Sequence, residues 1–304
     1  MIDPAVRQLL DTHFSAPDVA GEPDVAALRA GALKVPRRFG GPPPALAEVR
    51  DVTVVGPAGA IPLRIYRPAG SGRPAVVLYA HGGGWVTGSL DSHDTLCRIL
   101  ASRLSAIVVA IDYRLAPEHV YPAALDDVDA AWQWLRKEAA GLGGDPARLA
   151  VAGDSSGGNL VAALTLRLSA RSEPQPSRQL LLYPALDASS GAASYREFAT
   201  GYNLTAREMR WFWAAYRAGA PVDDAELSPA AARSLAALAP AVVAVAEADV
   251  LRDEAVAYAD RLSLAGVPTE LIRCRGMVHG FLRWTGVVPS ASGWIDAIAA
   301  AAGL

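Results

Sequence analysis

The sequence predicts an α/β protein with a mostly parallel sheet of eight strands flanked by helices on both faces. Six apolar runs are too short for helices, and their near-continuous apolar character indicates strands buried on both faces. Amphipathic helical segments separate these runs, an alternation typical of parallel strands joined by crossover helices. The six runs cover residues 75–82, 106–113, 149–154, 179–184, 241–247 and 269–274.

Two further β-rich runs come before the first of these strands. They are VTVV at 52–55 and IPLRIYRP at 61–68, and GPAGA joins them. Alternating β-rich runs around a Gly-rich turn are typical of a hairpin. We therefore expect antiparallel strands near the start of an otherwise parallel sheet.

Three apolar stripes at helical spacing lie between the predicted strands. The second ends near Gly141 and the third at Gly266, as expected of glycine at a helix C-terminus. The stripes consist of Leu96, Ile99, Leu100 and Leu104, then Leu125, Val128, Trp132 and Leu135, then Val256, Ala259 and Leu262.

The connection between the strands at 179–184 and 241–247 is too long for a simple crossover. It contains TAREMRWFWAAYRAG, in which Thr205 and Glu208 form a capping-box pattern and Gly219 is a natural helix stop. Core packing and an inserted cap over a pocket explain the aromatic side of this helix equally well.

Composition excludes several classes of protein. Hydrophobic residues make up 52% of the 304-residue chain and charged residues 19%, as in folded globular domains. The net charge is −3 without a basic cluster, which argues against a nucleic-acid partner. No apolar window is long enough to span a membrane, and the N-terminal residues lack a signal-peptide pattern, so we expect a cytoplasmic protein.

The two cysteines, Cys97 and Cys274, are far apart in the chain and belong to no C-x-x-C or Cys/His cluster. This spacing suggests neither a zinc site nor a redox site. We expect two ordinary buried thiols without a disulfide. No metal or organic cofactor is expected.

The stretch GDSSG places Ser155 at the centre of a G-x-S-x-G motif, between a predicted strand and a predicted helix. Gly153 and Gly157 leave room for a strained turn that exposes the hydroxyl, and the helix N-terminus points its free N–H groups at the site. The motif alone is compatible with Ser155 as a catalytic nucleophile and also with Ser155 as a serine that only caps the helix. Ser156, the next residue, is a candidate oxyanion donor through its backbone N–H.

Three consecutive glycines at 82–84 form a glycine loop within AHGGGWVTGS (80–89), a stretch that directly follows the strand at 75–80. Consecutive glycines at a strand end can present backbone N–H groups to a ligand, and this pattern matches an oxyanion loop. A flexible turn would fit the same residues. We expect His81 to fix the loop by a hydrogen bond and not to transfer protons.

The base and the acid follow from chain order. In serine hydrolases of the strand–turn–helix type, the acid follows the serine and the histidine comes last, and only His279 follows Ser155 among five histidines. The acid should lie just after the strand at 241–247, where Asp249 stands beyond the strand end. Three more carboxylates are near: Glu247, and Asp253 and Glu254, which fit the first turn of the next helix.

Five ordered blocks together resemble the hormone-sensitive-lipase-type carboxylesterases, the HGGG/GDSAG-motif members of the α/β-hydrolase superfamily. The blocks are HGGGW (81–85), DYRLAPEHVYPAALDD (112–127), GDSSGGNL (153–160), DVLRDE (249–254) and HGF (279–281). The resemblance implies an α/β-hydrolase fold with a helical cap. It places the triad on Ser155, Asp249 and His279, and the oxyanion donors on Gly83, Gly84 and Ser156. The remaining motif residues, which would support these catalytic groups, are His81, Gly82, Gly153, Asp154 and Gly157.

The chain departs from this pattern at two positions. Ser156 stands where alanine is common, and Val250 stands where proline commonly follows the aspartate. A backbone donor does not depend on its side chain, and Val250 leaves the carboxylate in place. The resemblance also implies a cap formed by residues 1–45 and 187–228, a catalytic domain formed by 46–186 and 229–304, and a homodimer.

The expected function is hydrolysis of short- to medium-chain carboxylic esters through a Ser-His-Asp triad and an acyl-enzyme. The expected partner is therefore a small-molecule ester. An amidase, deacetylase or lactonase would use the same triad, and relative rates on matched esters and amides would separate them. The same residues would also suit a true lipase or a ligand-binding protein without catalysis. Loss of ester turnover in Ser155→Ala would exclude the binding protein.

Overall fold

The computed structural model describes residues 1–14 and 22–304. Eight strands form one sheet, as predicted. They are β1 (Glu48–Gly56), β2 (Gly59–Arg67), β3 (Val76–Ala80), β4 (Ile107–Ile111), β5 (Leu149–Asp154), β6 (Arg178–Leu182), β7 (Ala241–Ala248) and β8 (Thr269–Val278). Their order across the sheet is β1-β2-β4-β3-β5-β6-β7-β8. The predicted α/β class and strand number are confirmed.

The first two strands form the expected hairpin. β1 and β2 pair antiparallel, with Gly56 opposite Gly59 at the turn. β2 also pairs antiparallel with β4, and every later neighbour pair is parallel. All residues of β3, β4 and β5 are buried, which explains why their sequences are apolar without alternation.

Ten helices accompany the sheet in the described residues. They are α1 (Pro4–His13), α2 (Val25–Ala32), α3 (Val35–Phe39), α4 (Leu90–Leu104), α5 (Ala123–Glu138), α6 (Ser156–Ala170), α7 (Ser194–Glu197), α8 (Ala206–Arg217), α9 (Arg252–Leu264) and α10 (Pro289–Ala302). The predicted stripes are the buried faces of α4, α5 and α9, although Ile99 and Val256 are only partly buried.

Helix α8 has the predicted ends. The Thr205 side chain accepts the N–H of Glu208 and the Glu208 side chain accepts the N–H of Thr205, so the capping box is present. The helix stops at Ala218 in the left-handed conformation, one residue before Gly219. Its buried residues, Met209, Trp213 and Tyr216, pack into the core. Core packing therefore explains part of its aromatic side.

Helix α1 is anchored at the far end of the sheet. Val6, Leu9 and Leu10, which are spaced to share one helical face, form its buried face. Asp3 caps the helix, and its backbone N–H donates to the carbonyl of Gly276 in β8 at 3.0 Å. The N-terminal segment is thereby tied to the strand that precedes His279.

Two expectations from composition can be compared with the structure. Cys97 and Cys274 are both buried and free, so the prediction of unpaired thiols is confirmed. Among residues 1–14 and 22–304, no helix combines the length and apolarity needed to cross a bilayer.

Candidate active site

Ser155, His279 and Asp249 meet at the carboxyl edge of the sheet. Ser155 directly follows β5, Asp249 directly follows β7, and His279 directly follows β8. Because the carboxyl ends of parallel strands share one edge, three distant chain segments converge there. Ser155 Oγ lies 2.9 Å from His279 Nε2, and His279 Nδ1 lies 2.7 Å from Asp249 Oδ2. The three side chains form one continuous hydrogen-bond relay.

Ser155 stands on a strained turn. Its φ is +55° and its ψ is −119°, a conformation that non-glycine residues rarely adopt. A Cβ on Gly153 would lie 2.3 Å from the carbonyl oxygen of Gly157, and a Cβ on Gly157 would lie 2.0 Å from that of Ala80. Only glycine fits at both positions. The Ser155 side chain makes no capping bond to α6, so the interpretation as a helix-capping serine is wrong.

Asp249 holds the imidazole in one orientation. Its Oδ1 accepts the N–H of Leu251 at 3.0 Å, which leaves Oδ2 for the ring of His279. With Nδ1 donating to this carboxylate, Nε2 is the acceptor that faces the Ser155 hydroxyl. The ring of Tyr183 packs edge-on against His279 at 4.9 Å, and Asn203 Nδ2 donates to the His279 carbonyl at 3.0 Å.

The carboxylates that neighbour Asp249 serve the scaffold. Glu247 Oε2 accepts the N–H of Gly276 at 2.7 Å. Asp253 Oδ2 accepts the N–H of Ser194 at 2.9 Å. Both lie outside the relay, which leaves Asp249 as the carboxylate that contacts His279.

Glu254 differs from its expected role at the start of a helix. It lies in the first turn of α9, but its carboxyl is buried and Oε1 accepts the N–H of Leu186 at 2.7 Å, in the chain after β6. In the part of the chain that the structure describes, Oε2 has no hydrogen-bond partner. Burial raises the pKa of this carboxyl well above its ordinary value, and the bond to Leu186 makes Glu254 a structural anchor between α9 and the chain after β6.

The glycine loop presents free backbone donors beside Ser155. Gly83 and Gly84 have φ values of +128° and +60°. In the part of the chain that the structure describes, their N–H groups and that of Ser156 donate to no protein acceptor. The Gly83 carbonyl instead accepts the N–H of Thr87 at 2.9 Å, which closes the loop. Unpaired N–H groups at a helix N-terminus and a glycine loop can bind a developing oxyanion.

A buried polar network supports this loop from behind. Asp154 Oδ1 accepts the Gly82 N–H at 2.7 Å and the Tyr79 hydroxyl at 2.6 Å, and it lies 3.5 Å from His93 Nε2. Burial alone would raise the pKa of the Asp154 carboxyl, but His93, Arg283 and the Tyr79 hydroxyl stabilise the anion and hold the pKa below its ordinary value. Asp154, the residue before Ser155, thus anchors the first glycine of the loop.

His81 is part of the same support. Its Nδ1 donates to the Gly82 carbonyl at 2.9 Å, and its ring stacks on Tyr113 at 4.2 Å. Burial lowers the pKa of His81 to about 3, with a further contribution from His93. The ring is therefore neutral near pH 7.

Three residues near the site carry no motif that would identify them from the sequence. Tyr79 lies one residue from the end of β3, and His93 lies in the first turn of α4; both approach Asp154 only through packing. Phe212 of α8 lies against Gly84, since a Cβ built on this glycine would be 2.2 Å from the ring. The only signal for Phe212 in the sequence is the aromatic side of that helix.

Comparison with known proteins finds relatives that cover most of the chain. A family model described as alpha/beta hydrolase fold matches residues 77–283, which is more than half of the chain. The carboxylic ester hydrolase LipN of Mycobacterium tuberculosis is 42% identical over 290 residues, covering 92% of this chain and 77% of that protein. An ethyl acetate hydrolase of Pseudomonas putida is 43% identical over 237 residues, covering 76% and 74%.

A solved structure is similar over the whole chain. It is the ester-hydrolase EH1AB1 from the metagenome of Lake Arreo, in complex with a derivative of bipyridine phosphonate. The TM-score is 0.93 at 40% sequence identity, covering 100% of this chain and 98% of that one. Fold and ester chemistry are thus shared among these similar proteins.

Proposed function

The chain belongs to the alpha/beta hydrolase family, in its hormone-sensitive-lipase-type group, and is a carboxylic ester hydrolase; from this premise we propose that Ser155, His279 and Asp249 are its catalytic triad. The relay of 2.7 and 2.9 Å from Asp249 Oδ2 to Ser155 Oγ is the observation that carries the proposal. A nucleophile bonded to a base, with the base oriented by a third group, is what serine catalysis requires.

In the first half of the reaction, Ser155 Oγ attacks the ester carbonyl carbon while His279 Nε2 takes the hydroxyl proton. Asp249 keeps the ring oriented and stabilises the imidazolium that forms. The carbonyl electron pair moves to oxygen, and the N–H groups of Gly83, Gly84 and Ser156 donate to this oxyanion. Such a donor is worth about 3 kcal/mol of the barrier in comparable sites.

In the second half, His279 returns its proton to the departing alcohol and the acyl group stays on Ser155 as an ester. Water then enters, His279 accepts one of its protons, and the hydroxide oxygen attacks the acyl carbon. Collapse of the second tetrahedral intermediate releases the carboxylic acid and restores the serine hydroxyl. The chain's own residues supply every proton transfer in this scheme.

The proposed substrates are short- to medium-chain carboxylic esters. Two observations support this size range. Phe212 of the proposed cap lies on Gly84, so an aromatic wall stands next to a proposed oxyanion donor. The relative in P. putida is named for ethyl acetate. Hydrolysis rates across p-nitrophenyl esters from acetate to palmitate test the range, with kcat/KM expected to be highest at the short end and low for long chains.

We propose that residues 1–45 and 187–228 form the cap, of which 15–21 lie outside the described residues. Support comes from α8 and from α2, whose Arg29 Nε donates to the carbonyl of Val86 just after the glycine loop at 2.9 Å. A cytoplasmic location and a homodimer stay predictions from the sequence. Fractionation and light scattering after size-exclusion chromatography test them.

The decisive experiment for the triad is Ser155→Ala measured with p-nitrophenyl butanoate. We expect kcat to fall by about 10⁵- to 10⁶-fold, the scale seen when a catalytic serine is removed. Ser169→Ala is the matched control, because this serine is exposed in the last turn of the same helix, α6. Unchanged turnover in Ser155→Ala would exclude the proposed mechanism.

A further inference from the structure

Helix α8 holds the residue that follows the glycine loop between two aromatic rings. Trp85 comes directly after Gly84 and is fully buried. Its indole is nearly parallel to the ring of Tyr216, with an interplanar angle of 3° and centroids 4.4 Å apart. The ring of Trp213 packs against it at 4.3 Å. Both Trp213 and Tyr216 belong to α8, so this helix packs against the side chain of Trp85, the residue next to the glycine loop.

The backbone of Trp85 needs such support. Its φ is +59°, the left-handed region, where a bulky residue is strained. Such conformations persist only where the surrounding structure fixes them. One hydrogen bond helps, since the Trp85 carbonyl accepts the N–H of Ala116 at 2.8 Å. The aromatic packing from α8 fixes the side chain.

We propose that Trp213 and Tyr216 are positioning residues for the oxyanion loop. They lock Trp85 in its left-handed conformation, and this sets the direction of the N–H groups of Gly83 and Gly84. The inference rests on the proposed function, in which these N–H groups stabilise the oxyanion. A helix of the proposed cap thereby determines how well the transition state is bound.

The position of α8 is itself well defined. The capping box of Thr205 and Glu208 holds its start. Near its end, the carbonyl of Tyr216 accepts the N–H of Tyr121 at 2.9 Å, and the hydroxyl of Tyr121 donates to Asp224 at 2.9 Å. The rings that pack on Trp85 thus belong to a helix whose start is capped and whose end is tied to the chain at Tyr121, which favours precise positioning.

The test compares Trp213→Leu with Trp132→Leu. Both tryptophans are 2% exposed, but Trp132 lies in α5 and, among the described residues, is absent from the aromatic cluster around Trp85. Large-to-small changes of this kind cost similar stability. We expect only Trp213→Leu to lower kcat for p-nitrophenyl butanoate, by about 10- to 100-fold, with KM changed less than about threefold. The reason is that misplaced donors bind the oxyanion of the transition state less well but affect substrate binding little.

A trifluoromethyl ketone gives an independent readout of the donors. Ser155 Oγ adds to its carbonyl, the proton passes to His279, and the resulting hemiketal oxyanion occupies the donor site. We expect its Ki to rise with Trp213→Leu in proportion to the loss of kcat. The pH profile of kcat/KM should keep its midpoint, since the relay of His279 and Asp249 is untouched.

Conservative variants separate positioning from general packing. Trp213→Phe and Tyr216→Phe each keep a ring against Trp85, so both should retain most of the wild-type kcat that Trp213→Leu loses. The proposal is refuted if Trp213→Leu retains the wild-type kcat. It is also refuted if Trp132→Leu lowers kcat and raises the Ki as much as Trp213→Leu does. Ser155→Ala in the same assay tests the proposed function separately. Loss of the aromatic contacts to Trp85 should slow the acyl-enzyme pathway, whereas loss of Ser155 should abolish it.

Discussion

Gly84→Ala tests the oxyanion loop at the point where the cap touches it. The new Cβ would lie 2.2 Å from Cδ1 and 2.3 Å from Cγ of Phe212. Because Cγ lies on the axis of χ2, rotation of the ring cannot relieve the contact. An ordinary contact needs at least 3.4 Å, so the loop and α8 must separate by about 1.2 Å, the difference between 3.4 and 2.2 Å.

The expected magnitude follows from this displacement. A misplacement of about 1 Å at a catalytic group costs on the order of 10²-fold in rate, or about 3 kcal/mol of barrier. Folding stability falls as well. Alanine at a φ of +60° costs roughly 1–2 kcal/mol, and overpacking adds about 1–3 kcal/mol.

The assay is kcat for p-nitrophenyl butanoate, measured beside urea unfolding. Gly266→Ala is the matched control, because this glycine has a φ of +79° and nothing within 4 Å of an added Cβ. It should lose about 1–2 kcal/mol of stability and no activity. Gly84→Ala/Phe212→Ala should recover at least tenfold in kcat over Gly84→Ala, because the clash is then removed and the two changes are coupled.

Retention of kcat in Gly84→Ala would refute the reasoning. So would an equal loss in Gly84→Ala and in the double variant, since the clash with Phe212 could then not be its cause. The single variant Phe212→Ala completes the cycle and reports the contribution of the ring itself to KM.

Three further predictions concern charge and protonation. Asp249→Asn should lower kcat by about 10⁴-fold with the fold intact, because the amide favours the wrong tautomer of His279; steady-state kinetics and unfolding check this. The pKa of His81 is lower in the folded protein than the unfolded value of 6.5, so the folded state loses stability as the pH falls below 6.5. The free energy of unfolding should fall by about 2 kcal/mol by about pH 5. In urea unfolding, His81→Asn should remove this dependence of the free energy of unfolding on pH. The raised pKa of Glu254 has the opposite sign, with stability lost as pH rises above 4.5, so Glu254→Gln should gain in Tm over the wild type from pH 5 to pH 8.

Much of the fold could be predicted because burial leaves a direct signal in the sequence. β3, β4 and β5 are buried along their whole length, so each is a continuous apolar run between turn residues. The convergence of the proposed triad residues at one edge could be predicted for a related reason. Parallel strands end at one edge, so residues just after β5, β7 and β8 converge although Ser155 and His279 are separated by more than a hundred residues.

The rest depends on packing between elements, which leaves no local pattern. In the sequence, Tyr79 and His93 look like ordinary strand and helix residues. Only the positions of β3 and α4 in the fold place both side chains next to Asp154. Glu254 could be placed in the first turn of a helix, but its partner, the N–H of Leu186, comes from a different connection. Phe212 belongs to an aromatic helix face whose contact with Gly84 follows only from the position of α8.

The most direct test of the triad is covalent labelling with a p-nitrophenyl phosphonate, followed by mass spectrometry of the digested protein. The phosphonate places a charged oxygen where the ester oxyanion forms, so it reacts with a nucleophile that the donors and His279 activate. We predict one label per chain, on Ser155, with release of one p-nitrophenolate, and no label on Ser155→Ala. A label on Ser156 or on any other residue, or none on the active wild type, would contradict the account.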